Sequence, residues 1–376
     1  MPSVHANLSA SSSARWLNCP ASVAVSAQYE NKGSSFAEEG TCAHELAEIC
    51  LKTGDSPDKY LGQTLSDAPN IAVNREMLDH VQGYIDYVKS FETKTSSTLI
   101  EEQVRFDNWV TDGFGTSDAI IIDNGVCHIV DLKYGKGVEV YAEQNTQVML
   151  YALGVLQEYE FIFDIDVFEL HIYQPRRNHF DSWRIIKDDL LNWGEWVKER
   201  AHLTTVKDAP FNPSDKACQW CAHKANCKAL QSFTEKVIAS EFDDLTLDKP
   251  ENVDHSLILK NKSLIESWLK AVEQAAYEKL SNGEDVDGFK LVAGRSLRKW
   301  ADEQAAIDTL SNEFDDDKLF TKKFVSVAQA EKLIGKANFS EFSNLVVKPD
   351  GKPTLAPYND KRPPVGDVSC DFDNLN

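Results

Sequence analysis

Positive charge is what this sequence has least of. Its 39 Lys and Arg stand against 60 Asp and Glu, a formal net charge of −21. The deficit is general: residues 1–234 hold 20 basic and 33 acidic side chains, and residues 235–376 hold 19 and 27. Such a chain cannot grip a polyanion over a broad basic surface, because that mode of binding needs many Lys and Arg to displace counterions. Any contact with nucleic acid must be local, in a groove with its own basic residues. Long apolar runs are also missing. None approaches the ~20 residues of a membrane span, so no membrane association is expected. The first residues, Met1 to Ser13, are polar, without a basic start or an apolar core, so a secretory signal is not expected and a cytoplasmic setting is. There is no internal repeat. Hydrophobic content of 42% with 10% aromatics excludes global disorder. In a cytoplasmic protein, eight cysteines argue against a disulfide framework.

Periodicity suggests a mixed α/β core. Residues 36–52 predict a helix with Ala43, Leu46, Ala47, Ile49 and Cys50 inward and Ser34 or Ser35 as its cap. Residues 75–93 predict another, with Met77, Val81, Tyr84, Ile85, Val88 and Phe91 at helical spacing. Short β-rich runs come next at 99–106, 117–123 and 126–133, the last two split by the turn-forming Asp123-Asn124-Gly125. Residues 143–158 return to helix. Strands are expected at 167–174 and 183–186, separated by a basic loop, Arg176-Arg177-Asn178-His179, with a helix over 188–204. Helices interspersed with strands point away from a bundle or sandwich. Beyond a cysteine cluster, residues 256–281 read as a long helix, 289–292 as a short strand, and about 302–312 and 327–336 as further helices. The last thirty residues, rich in Pro, Asp and Asn, read as a mobile tail. The expected division is 1–234 for the core, 235–345 for a mainly helical accessory domain and 346–376 for the tail.

The residues that carry chemistry lie within the core. Asp131-Leu132-Lys133 ends an apolar strand, and residues two apart on a strand point to one side. A carboxylate there can hold a divalent cation while the ammonium orients a water. Alone, Asp-x-Lys occurs by chance in many proteins. Gly115-Thr116-Ser117-Asp118 opens the preceding strand, so a hairpin would bring Asp118 and Asp131 to one end, a hard-oxygen pair suited to Mg²⁺ or Mn²⁺. Gln147 and Tyr151 are i and i+4 on the following helix and share a face, with Gln144 one turn earlier. His44 lies in the first long helix. Glu101 and Glu102, on the strand before Asp118, point to opposite sides, and one of them could face the site.

Taken in order, G-x-x-D, D-x-K and Q-x-x-x-Y with an upstream helical His resemble the RecB-like branch of the PD-(D/E)XK nucleases, over residues ~15–230. The resemblance implies a mixed sheet flanked by helices, metal ligation by His44, Asp118 and Asp131, and a Lys133 that assists the attacking water. It also implies catalytic roles for Gln147, Tyr151 and a glutamate aligned with Glu101, with Glu102 as the alternative. Candidate DNA contacts are Lys136, Gln144, Arg176, Arg177, Arg295, Arg298 and Lys299.

Cys218-x-x-Cys221-x5-Cys227 lies after this core, and Cys19 precedes it in Arg15-Trp16-Leu17-Asn18-Cys19-Pro20. Four thiolates can hold an iron–sulfur cluster or zinc, and His223 could replace a cysteine in a zinc site. One early Cys with a late triplet resembles the iron–sulfur nucleases, the helicase–nuclease subunits of bacterial recombination and the CRISPR-associated RecB-like enzymes, which implies a [4Fe–4S] cluster tying the domain's ends together. The strings RWLNCPAS, GTCAHELAE, DLKYGKGVEVYAEQNTQVMLYALG, CQWCAHKANC and FKLVAGRSLRKWADE resemble a phage and prophage family catalogued as a domain of unknown function. That resemblance implies an exonuclease acting on DNA ends in recombination, beside a single-strand annealing or binding protein, in a bacterial host cytoplasm, with homo-oligomerisation open. A structure-specific endonuclease and a non-catalytic DNA-binding or assembly module are the rival readings.

Overall fold

The structure, a computed structural model, describes residues 6–29, 35–240 and 256–290. The helices are α1 (Ser13–Asn18), α2 (Ser22–Ser26), α3 (Ser35–Thr53), α4 (Arg75–Lys89), α5 (Thr146–Tyr159), α6 (Lys187–Leu203), α7 (Asp215–Cys218), α8 (Lys228–Ser240) and α9 (Ser256–Ser281). The strands are β1 (Ser97–Arg105), β2 (Phe114–Asp123), β3 (Val126–Leu132), β4 (Val167–Gln174) and β5 (His179–Ile186). They form one five-stranded sheet in sequence order, antiparallel except where β3 meets β4 in parallel. The chain is thus α/β with a mixed sheet flanked by helices. No helix among the described residues is long and apolar enough to cross a membrane.

Contacts divide the chain into Met1–Val286 and Asp287–Asn376, and every helix and strand named above belongs to the first unit. Of the stretch read as a separate helical domain from residue 235, α9 therefore falls with the core. Its Leu264 and Trp268 pack with Cys19, Cys218 and Leu230, and its Ser267 accepts from Lys224 Nζ at 2.7 Å. The expected strand end at 291–292, Arg295, Arg298 and Lys299, the two later helices and the tail lie outside the described residues.

Local sequence explains the frame. Between β2 and β3, Asn124 (φ 48°) and Gly125 (φ 79°) both take left-handed backbone, the two-residue turn whose twist suits a hairpin. It sets Asp123 opposite Val126 and Ala119 opposite Val130. Between β4 and β5, Pro175–Arg177 forms a 3-10 turn ended by Asn178 at φ 51°. The second strand therefore starts at His179, four residues earlier than its apolar residues suggest, because the basic loop is part of a tight hairpin pairing Gln174 with His179. Helix α4 is capped by Asn74, which accepts from Met77 N at 2.9 Å. Helix α5 is the crossover that the parallel β3–β4 pair requires.

Each sheet face has its own core. On one side α5 and α6 cover Ile120, Ile122, Ile129, Phe168 and Leu170; on the other α3 and α4 cover Ala119, Ile121, Val130 and Leu132. Alternate strand residues face alternate layers, and each large aliphatic or aromatic side chain so buried contributes roughly 1.5–3 kcal/mol. With residues Val148 to Leu156 all buried, α5 is the most enclosed helix among the described residues.

The α4 layer also buries a histidine pair. His171 Nδ1 meets Tyr87 Oη at 3.0 Å and its Nε2 meets His128 Nδ1 at 3.1 Å. Phe91 stacks on His128 at 4.5 Å. Burial, then the neighbouring His128, holds His171 neutral, with its pKa down to about 3. A base depressed below its unfolded value of roughly 6.5 stabilises the fold fully above that value and less as pH falls toward 3. At pH 5 the loss is about 2 kcal/mol. His171→Phe should gain stability relative to the wild type between pH 7.5 and pH 5, read as the difference between their urea midpoints at the two pH values. An unchanged difference would refute the assignment.

Candidate catalytic and metal-binding site

The carboxyl-terminal end of β3 gathers residues from five elements, α3, β1, β2, β3 and α5. Asp131 is 2% exposed, the last residue but one of the strand. Lys133 comes immediately after the strand, and its backbone N donates to Tyr173 O at 2.8 Å, extending the β3–β4 ladder by one residue. Its Nζ lies 2.7 Å from Asp131 Oδ2 and donates to Gln147 Oε1 at 2.9 Å. The Gln147 amide nitrogen donates in turn to Asp131 Oδ1 and to Tyr151 Oη, both at 3.0 Å. The three motif segments of β3 and α5 are thus one closed network. Tyr151 reaches it because Gly115 on β2 lacks a side chain: a Cβ there would sit 2.7 Å from the Tyr151 ring. The glycine and the tyrosine of the sequence pattern explain each other.

A second group lies beside the first. His44 Nδ1 is 3.2 Å from Asp118 Oδ1, while Asp118 Oδ2 accepts from Leu132 N at 2.6 Å. Ligand atoms of His44, Glu101 and Asp118 all fall within 4.8 Å of one another. The compact triad therefore contains Glu101, in the place that the sequence pattern assigns to Asp131. Asp131 stands next to the triad, tied to Lys133 and Gln147. Glu101 takes φ 50° in the middle of β1, a conformation that costs a non-glycine residue about 1–3 kcal/mol. The register with β2 is unbroken on either side, Ile100 to Ala119 and Glu102 to Ser117. Leu99 nevertheless packs on the α5 layer, as Val104 does, and Glu102 accepts from Tyr159 of α5 at 2.6 Å. Simple alternation fails between them, and the twisted residue turns its carboxylate toward His44 and Asp118.

The electrostatics are those of an acidic cavity. It spans about 410 Å³ and is lined by His44, Glu45, Glu48, Asp67 and Glu101 among others. Burial and then Asp118 raise Glu101 to about 8. Burial opposes charge on His44, but the Asp118 carboxylate outweighs it and lifts His44 to about 9. Burial likewise opposes charge on Asp118, and His44 overcomes it, so Asp118 is lowered. Asp131 is raised by burial, against the pull of Lys133. Its Oδ2 is buried and accepts no aligned hydrogen bond, the Lys133 contact being an ion pair alone. One imidazole and clustered, partly orphaned carboxylates are a donor set that fits a hard divalent cation. Sequence reasoning missed Glu45, Glu48 and Asp67. Glu48 is i+4 from His44 and was legible by helix register; Glu45 and Asp67 meet only through folding, when Glu45 accepts from Asp67 N and Ser66 N at 2.9 Å each.

Several expected DNA contacts are occupied. Arg176 is paired with Glu39, lies 3.9 Å from Glu76 and stacks over Tyr134 at 4.9 Å. Lys136 pairs with Glu76 at 3.2 Å. Arg177 donates to the carbonyls of Lys136 and Gly137. Gln144 is not on the Gln147 face: α5 starts at Thr146 under an Asn145 cap, and Gln144 precedes it at φ 53°. The asparagine cap ends the helical phase that sequence periodicity carried back to residue 143.

The four expected cysteines converge. Cys19, Cys218, Cys221 and Cys227 line one small cavity and are free thiols. Asn212 N donates to Cys19 Sγ at 3.4 Å and Leu230 N to Cys227 Sγ at 3.5 Å. Arg200 holds the Cys19 segment through the carbonyls of Leu17 (2.7 Å) and Asn18 (3.2 Å). Burial raises Cys19 and raises Cys218 to about 11. His223 turns its Nδ1 to the Tyr29 hydroxyl at 3.0 Å.

Glu101→Asn should separate strain from ligation, since asparagine tolerates left-handed backbone. The variant should melt no lower than the wild type without divalent cation, and should lose most of the upward shift in Tm that Mn²⁺ gives the wild type. A full Mn²⁺ shift in the variant would remove Glu101 from the site.

Among solved structures, one described as "Crystal structure of SSO0001" is 16% identical, with 57% of this chain and 83% of that chain covered, at a TM-score of 0.24; so loose a likeness carries no argument. A family model described as "Protein of unknown function (DUF2800)" matches residues 5–363, nearly the full length, and the chain belongs to that family.

Proposed function

We propose that the protein is a divalent-cation-dependent deoxyribonuclease of the PD-(D/E)XK superfamily, RecB-like, acting as an exonuclease on DNA ends. The observation that carries the reading is the network Lys133–Gln147–Asp131 with Tyr151, set against the His44–Glu101–Asp118 triad. Residues spread over more than a hundred positions, each of the type this chemistry needs, meet at one strand end. His44, Glu101 and Asp118, with Asp131 adjoining, would hold Mg²⁺ or Mn²⁺, which polarises a phosphodiester oxygen and makes water a better nucleophile. Lys133 is fixed between Asp131 and Gln147, so its ammonium can donate to the incoming water and offset charge growing on the phosphoryl oxygens. Gln147 keeps that amine and the Asp131 carboxylate in register, and Tyr151 orients Gln147. The water oxygen bonds to phosphorus as the P–O bond to the sugar breaks. One fragment of the cut strand is left with a phosphate and the other with a hydroxyl, whose oxygen takes up the proton that water gives.

A [4Fe–4S] cluster on Cys19, Cys218, Cys221 and Cys227 would close the domain structurally. Backbone N–H groups point at two of the sulfurs, an environment that suits metal-bound thiolates. The donor set fits a cluster or zinc, and the sequence resemblance favours the cluster. The clip would span a loop of about two hundred residues, and long loops gain most from closure. DNA recombination beside a single-strand annealing or binding protein is the setting that the sequence resemblance implies.

Asp131→Ala and Lys133→Ala should each lower cleavage with Mn²⁺ by ~10²-fold or more while leaving the circular dichroism spectrum unchanged. Wild-type rates in both folded variants would sink the site. End-labelled linear DNA should be degraded and closed circular DNA spared; cut circles would favour an endonuclease, and neither substrate cut would favour a binding module. Protein purified without oxygen should be brown, with iron and acid-labile sulfide near four per chain. A colourless protein with one zinc would replace the cluster, and Cys221→Ser should abolish either colour or zinc retention.

A further inference from the structure

One hollow on the α5 side of the sheet takes no part in this chemistry. It measures about 570 Å³, and Gln144, Met149, Trp183, Arg184, Asp189 and Trp193 are among the residues that line it. Trp183 comes from the edge strand β5, Asp189 and Trp193 from α6, and Met149 from α5. Both indoles are only partly buried, and Trp193 lies tilted against Trp196 at 6.4 Å. Two flat apolar surfaces thus face a solvent-reached cleft that has a carboxylate and an amide at its rim.

Gln144 is at that rim because its backbone is left-handed, at φ 53°. The turn is held on both sides: Ala142 N donates to Asp181 Oδ2 at 2.8 Å, and Asn145 N donates to Ala142 O at 3.1 Å. Strained backbone of this kind gathers at functional sites. Chain length bounds the separation from the catalytic network. Gln144 is three residues from Gln147, at most about 11 Å of chain, a nucleotide or two along an extended strand.

Charge decides what kind of contact is available. Lys136, Arg176 and Arg177 are engaged by the protein's own carboxylates and carbonyls, Arg184 at the hollow itself lies 3.5 Å from Glu169, and the whole chain carries −21. A strand that reaches this site must be held largely by contacts that do not depend on phosphate neutralisation. Stacking on aromatic side chains is such a contact, and it tolerates any base.

Resting on the nuclease reading, we propose that the hollow between Trp183 and Trp193 receives one unstacked nucleobase of a single-stranded DNA end near the scissile phosphate. The indoles supply stacking surface, Met149 a polarizable floor, and the Gln144 amide and Asp189 carboxylate hydrogen-bonding partners for the base edge. Bases stacked within a duplex cannot enter, so the site selects frayed or single-stranded ends.

The test is binding of a short oligothymidylate to the full chain with Ca²⁺ in place of Mn²⁺, a cation that occupies oxygen ligands, with the strand checked for intactness on a gel. Binding is read by fluorescence anisotropy, with an abasic site moved one position at a time from the end. One position should weaken binding roughly tenfold, about the worth of one base–aromatic stack. The same abasic site should cost nothing against Trp183→Ala, and Trp183→Phe should restore part of the loss. Because the abasic scan uses the wild-type protein, it stands even where a tryptophan variant misfolds. A flat scan with a strand that the protein cleaves in Mn²⁺ overturns the base site and leaves the nuclease reading intact. A protein that neither binds nor cleaves the strand overturns both.

Discussion

Buried carboxylates at the ends of adjacent strands are the constraint that the rest of the site answers. Asp131 is almost wholly enclosed, Asp118 lies beside it on the neighbouring strand, and Glu101 closes in from the next. Removing an unpaired carboxylate from water costs several kcal/mol, and three of them also repel one another. The fold responds with one histidine, one lysine and one amide. His44 pairs with Asp118, Lys133 pairs with Asp131, and Gln147 bonds the far side of that pair. The answer is incomplete, for one Asp131 oxygen keeps no aligned donor and Glu101 is pushed up to about 8. That residual negative potential in an acidic cavity is what makes a cation favourable there.

The architecture concentrates these charges by geometry. Alternation along β2 and β3 gives each core layer its own set of aliphatic side chains and leaves the strand end, where the layers diverge, for polar residues. The parallel β3–β4 pair forces a helical crossover, and that crossover is α5, whose first turns bring Gln147 and Tyr151 back over the end of β3. Gly115 permits the approach of Tyr151, and Gly154, whose Cβ would lie 2.8 Å from Val104, permits the approach of α5 to β1. Helix α3, packed on the other face, contributes His44 from outside. The site is a junction of both layers, so no single element could present it.

How much of this was legible in the sequence depends on the range of the interactions. The hairpin at Asn124-Gly125, α4 and the core strands are encoded by neighbours a few residues apart, and periodicity found them. The nearness of Asp118 to Asp131 and Lys133 was legible from the hairpin, and the shared face of Gln147 and Tyr151 from helical phase; that His44 belongs with them was implied by the family resemblance alone. Positions governed by irregular backbone were not legible from periodicity, although the resemblance singled out Glu101. Glu101 and Gln144 each take left-handed conformations that no propensity assigns to Glu or Gln, and each turns its side chain away from the direction that alternation or helical phase gives. The roles of Arg176 and Lys136 depend on Glu39 and Glu76, which are distant in sequence, so basic residues that read as candidate DNA contacts are engaged within the protein. The cysteine triplet was legible from spacing, because Cys218, Cys221 and Cys227 sit close together in sequence; that Cys19 joins it was implied by the family resemblance, since α1 meets that segment only on folding, through α7 and Arg200.

The charge balance and the site geometry bear on each other. A strongly acidic surface repels nucleic acid everywhere except where local structure compensates, and screening confines that repulsion to about a Debye length, near 8–10 Å at moderate salt. Within that range the cation site would be the main positive feature, since the nearby arginines and Lys136 are internally paired. On the nuclease reading, substrate affinity and catalytic competence would then depend on the same loaded cation: without it, the cavity of carboxylates opposes a phosphate, and with it the sign of the local field reverses. Uncharged contacts, such as indole stacking, add affinity without altering that dependence. On that reading the protein would hold DNA weakly along its length and engage it where a strand end and a cation-loaded centre coincide.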